Sequence, residues 1–86
     1  MSFAKRLVQS RTNTLCLIVA PAKGGKTAWY FIRVEPVKFS KFKNDVFSKA
    51  VNLANYGEVI ERGYGDYPPQ NIIDKMVREH GYNPPE

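Results

Sequence analysis

The chain has 86 residues, with 13 Lys or Arg, 8 Asp or Glu and one histidine, for a formal net charge of +5. That length holds one domain around one core, and folding hides only about 60–65% of the unfolded surface. The single cysteine, Cys16, excludes an intrachain disulfide framework and a cysteine-based zinc site, and the single histidine, His80, excludes a His-pair metal site.

The charge is unevenly placed. Residues 1–50 carry +8 and residues 51–86 carry −3. This asymmetry points to an anionic partner or a polar interaction surface, or to opposite charges facing one another across the fold. The first acidic residue is Glu35, so the N-terminus is basic, and an acid-free start also fits an organellar presequence. The segment is read as part of the fold, and the expected compartment is the cytoplasm. No stretch approaches the roughly 20 apolar residues of a membrane span, so none is expected.

In chain order, residues 2–10 start with a possible cap at Ser2 and place Phe3, Leu7 and Val8 on one helical face, which predicts a short N-terminal helix. Residues 14–20 are apolar at every alternation, as in a central strand covered on both sides. Pro21, Gly24 and Gly25 make a loop, and residues 27–35, rich in aromatic and β-branched side chains, make a second strand. The two strands form a hairpin.

Pro36 ends it. Phe39, Phe42, Val46, Ala50 and Leu53 then recur at helical spacing and predict one long helix over residues 37–54. Residues 58–62 read as a short, half-polar edge strand, and residues 69–80 as a last helix stopped by Gly81. The predicted fold is an α+β domain, β-β-α-β-α, with two layers. A right-handed crossover would place the third strand beside the first, in the order 2-1-3 of a mainly antiparallel three-stranded sheet.

Ala20-Pro21-Ala22-Lys23-Gly24-Gly25-Lys26-Thr27 matches a relaxed phosphate-loop pattern. That chemistry needs the loop to open a helix whose terminal amides hold phosphate. Ala28-Trp29-Tyr30-Phe31-Ile32 follows instead and directs a strand, so no nucleotide and no other cofactor is expected. Glu58 and Glu61 alternate onto opposite faces of a regular strand and make no carboxylate pair. Cys16 belongs to the most apolar strand and reads as inert. With no nucleophile–base pair or metal cluster legible, the chain reads as a non-enzyme.

Two surfaces look built for a partner. Trp29 and Phe31 share the strand face opposite Ala28, Tyr30, Ile32 and Val34, and one helix covers only one face. The other is covered by the terminal segments, a second subunit or a ligand. Tyr56, Tyr64 and Tyr67, near Gly63 and Gly65, add rigid contact area. These five aromatic residues are the candidate protein-contact set. Lys38, Lys41 and Lys43 load the start of the long helix with cations that its dipole disfavours. With Arg11 they are the candidate anion or nucleic-acid contacts.

The segments Trp29-Tyr30-Phe31-Ile32-Arg33-Val34-Glu35-Pro36, Asn52-Leu53-Ala54-Asn55-Tyr56-Gly57-Glu58-Val59, Gly63-Tyr64-Gly65 and Gly81-Tyr82 resemble a group of short bacterial proteins of uncharacterised role. The resemblance spans residues 28–82 and implies a compact domain, with no activity attached. The expected function is a small non-enzymatic binding module whose partner is another protein or a second copy. A basic RNA- or DNA-binding protein is the alternative.

Overall fold

The computed structural model describes residues 4–85. Four strands, β1 (Arg6–Gln9), β2 (Leu15–Pro21), β3 (Thr27–Val34) and β4 (Gly57–Tyr64), form one antiparallel sheet in that spatial order. Helix α1 (Phe39–Ser48) lies between β3 and β4 in sequence, and α2 (Gln70–His80) follows β4.

The inner strands β2 and β3 are apolar on both faces, so each face needs its own cover. Leu15, Leu17, Val19, Trp29 and Phe31 pack under α2 with Met76 and Tyr82. Cys16, Ile18, Ile32 and Val34 pack on the opposite face under Phe42 and Val46 of α1 and beside Tyr56. Burial raises the Cys16 thiol to about 12, so it stays protonated and unreactive at neutral pH.

The fold is α+β as expected, but the sheet has four strands in a different order, and a helix on each of its faces makes three layers where two were predicted. Instead of the predicted N-terminal helix, residues 6–9 form β1 and pair Arg6 with Val19 and Gln9 with Cys16; the Ser2 cap and Phe3 lie outside the described residues. Four residues are too few to separate helical from alternating spacing, and the open edge of β2 decides between them. The segment after the helix joins β3 rather than β2, and it runs antiparallel. The crossover rule assumes a parallel partner. Here the excursion after β3 leaves and returns at one end of the sheet, where the Glu35 amide donates to the Tyr56 carbonyl at 2.8 Å and Gly57 pairs with Val34.

The long predicted helix is also divided. A 3-10 turn at Pro36–Lys38 leads into α1, which stops at Ser48, and a second turn follows at Leu53–Asn55. The Ser48 hydroxyl donates back to the Asn44 carbonyl at 3.0 Å, Lys49 is extended, and the Asn52 side chain caps the next turn. Ala50 is exposed as a result.

Strand β4 carries a bulge. Val59 pairs with Ile32 and Glu61 with Phe31, leaving Ile60 as the extra residue. Glu58 and Glu61 therefore fall on the same face, contrary to the regular alternation, and Glu61 is held by Lys75 of α2 at 3.2 Å. Beyond the bulge, the Trp29 ring lies against Gly63, where a Cβ would overlap the indole. Gly63→Ala is expected to cost about 1–3 kcal/mol by overpacking. Chemical denaturation followed by Trp29 fluorescence checks it, and unchanged stability would mean the indole does not rest there.

The return segment after α1 is anchored by one carboxylate. Asp45 accepts from the Tyr56 hydroxyl at 2.7 Å and meets Lys41 at 3.1 Å and Lys49 at 3.8 Å. The Tyr56 hydroxyl first, and Lys41 next, hold the Asp45 carboxyl below its ordinary value of 3.8. A lowered folded value stabilises the fold above the unfolded value and is lost as pH falls through the folded one. The stability difference between wild type and Tyr56→Phe should be constant above about pH 5 and shrink below about pH 4. Urea melts across that range measure it, and a difference independent of pH would remove Asp45 from the account.

Candidate functional site: an open groove beside α1

Helix α1 covers only part of its face. Past Val46 the chain turns away, and the hairpin end of the sheet is left as an open groove of about 990 Å³. Its floor is set by register. Ala20 lies opposite Ala28, and Ala28 opposite Tyr64; Ile18 lies opposite Tyr30, and Tyr30 opposite Arg62. Two alanines side by side keep the floor low where the neighbouring rows carry branched or aromatic side chains. Val51, Leu53 and Ala54 of the return segment form one wall, and Pro21, Ala22 and Lys23 of the hairpin turn close one end.

The hairpin turn is where the phosphate-loop text falls. Residues 23–25 form a 3-10 turn with Gly24 and Gly25 at φ of 72° and 73°, which side chains rarely adopt, and Thr27 opens β3. The loop therefore opens a strand where a phosphate loop opens a helix. Lys26 from the turn lies over the Tyr64 ring at 5.7 Å, and Tyr64 itself is 76% exposed at the rim. Lys23 and Arg62 are the two charged side chains lining the groove. Among the described residues, no carboxylate comes within ion-pairing distance of either.

The sequence-predicted site residues do not converge on this groove. Trp29 and Phe31 are buried in the α2-side core, with Phe31 edge-on to Tyr82 at 5.2 Å, so they offer no contact surface. The chain's own second helix covers that face, and the tail after it is pinned: the Arg11 amide donates to the Asn83 carbonyl at 2.7 Å, and the Asn83 amide to the Ser10 hydroxyl at 3.0 Å. Tyr56 is buried against Phe42 and spends its hydroxyl on Asp45. Tyr67 is exposed on one side and has Arg6 over its ring at 5.0 Å. Of the five aromatic residues, Tyr64 alone lines the groove.

The four predicted anion contacts are spread and internally engaged. The Arg11 guanidinium donates to the Asn83 side chain, and Lys38 donates to the Asn55 carbonyl and pairs with Glu35. Lys41 pairs with Asp45, and Lys43 lies over the Phe39 ring at 4.8 Å. The groove residues Tyr30, Arg62, Ala20 and Ala28 are not among the residues the sequence singles out, because the bulkier side chains of β3 lie on its other face. The paired alanines were the available signal, since the hairpin register alone sets Ala20 opposite Ala28.

Among the described residues, no group of three His, Cys, Asp or Glu side chains comes together as a metal site, and no helix is long and apolar enough to cross a membrane. Comparison of the chain with protein-family models, with curated proteins and with solved structures finds no match in any of the three.

The groove is testable as space. Ala20→Phe points a ring into it, and the variant should fold with a thermal midpoint equal to or above wild type, because it buries apolar area without displacing a neighbour. Thermal denaturation by circular dichroism reads this. A loss of about 1–3 kcal/mol, as for an overpacked core, would show that the floor is already filled.

Proposed function

We propose that this chain is a small non-enzymatic binding module that takes a segment of another protein into the groove beside α1. The carrying observation is the groove's composition: a floor and wall built mostly from apolar side chains, rimmed by an exposed tyrosine and by two cations. Exposed apolar concavities of this kind are where proteins take up partner side chains, and tyrosine and arginine are enriched at such contacts. The titratable side chains lining it are Lys23, Tyr30, Arg62 and Tyr64, with no nucleophile–base pair among them, which supports binding over catalysis. The buried free thiol of Cys16 agrees with a cytoplasmic setting. The resemblance over residues 28–82 would extend both groove-lining strands, β3 and β4, to that bacterial group.

The test is selection of short random peptides displayed on phage against wild type and Ala20→Phe in parallel. Peptides that bind wild type and lose about tenfold or more in affinity on Ala20→Phe are expected. No enrichment on wild type, or equal binding to both proteins, overturns the proposal. Sedimentation velocity on wild type and Ala20→Phe covers the second-copy case, where self-association should disappear in the variant.

A further inference from the structure

We infer that the groove selects an acidic segment, one bulky apolar side chain flanked by carboxylates; this rests on the protein-binding reading above. The argument is charge complementarity, and it begins at the bulge in β4. Val59 faces the groove, so in a regular strand Glu61 would face it too, two residues on. The extra residue Ile60 changes the parity beyond it. Arg62 arrives opposite Tyr30 on the groove face, and Glu61 is turned to the other face, where Lys75 takes it. One inserted residue thus replaces a carboxylate with a guanidinium at the groove.

The other charged lining residue, Lys23, stands at the hairpin end, so the two cations approach the groove from separate elements. Both are exposed, and no acidic side chain lines the groove between them. A basic partner would meet like charge at both points, and a neutral one would leave both unanswered. The low floor at Ala20 and Ala28 fits an apolar anchor between the flanking acids, and the guanidinium can take a carboxylate with two parallel hydrogen bonds.

The test uses the peptides selected on wild type and lost on Ala20→Phe. They are expected to carry an excess of Asp and Glu around an aromatic or aliphatic residue. Lys23→Glu combined with Arg62→Glu should weaken them about tenfold or more, and raising salt should weaken them on wild type. Groove-dependent peptides that are neutral or basic, or whose binding is indifferent to salt, overturn the acidic assignment and leave the protein-binding reading standing. If no groove-dependent peptide emerges, that underlying reading fails and this one with it. An oligodeoxythymidylate that binds wild type more tightly than the peptides and is lost on Ala20→Phe also overturns it, in favour of single-stranded nucleic acid. Because both charges are exposed, the double variant should keep the wild-type circular dichroism spectrum; the salt dependence on wild type decides the matter independently if it does not.

Discussion

Two adjacent strands that are apolar on both faces govern this fold. Strands β2 and β3 bring Leu15, Leu17, Trp29 and Phe31 to one side and Cys16, Ile18, Ile32 and Val34 to the other. Leaving either side in water would forgo about 25 cal/mol for each Å² of apolar surface left exposed, in a chain whose size already limits its core. Each face has a single helix, of ten or eleven residues. Ten helical residues span about 15 Å, and an eight-residue strand about 26 Å. One helix aligned with such a strand leaves part of it bare.

The two faces meet this shortfall differently. On the α2 side the chain continues past the helix, and Tyr82 fills the core while Asn83 is tied to Ser10 and Arg11 in the β1–β2 turn. On the α1 side the chain leaves the sheet after the helix, and alanines occupy the row beyond it, with Ala28 itself buried. Small side chains reduce the apolar area left in water, so the open half of the face is tolerable without a ligand. They also make it concave.

The outline of the fold was legible in the sequence because it depends on patterns that elementary sterics enforce. Continuous apolarity marked β2 as central, the aromatic run marked β3, the stripe from Phe39 to Val46 marked α1, and the last helix ended where Gly81 predicted. What was not legible depends on choices between near-equal local states. Residues 6–9 carry too short a pattern to declare a strand. Helical spacing persists through Ala50 and Leu53 although the backbone leaves the helix at Lys49, because Ser48 and Asn52 offer it other hydrogen bonds. The strand order turned on whether the helix crosses the sheet or folds back, which no periodicity encodes. The bulge at Ile60 leaves no mark in the alternation of residues 57–64, so the faces taken by Glu61 and Arg62 cannot be read from it. The site is no more legible: Trp29 and Phe31 have the composition of contact residues, and they are the residues a small core can least do without.

The same return segment explains why the site and the fold belong together. Residues 49–56 bring the chain back to pair β4 with β3, and on the way Val51, Leu53 and Ala54 become the groove wall. That wall is held at its far end, where the Tyr56 ring packs at a tilt against Phe42 at 5.3 Å and its hydroxyl donates to Asp45. The opposite rim depends on β4, whose bulge sets Arg62 toward the groove. Neither the wall nor the rim is a decoration added to a finished domain. An uninterrupted helix through residue 54 would erase the wall, and a regular β4 would put Glu61 at the groove. Both irregularities depart from what local propensity prefers, and both converge on the groove beside α1.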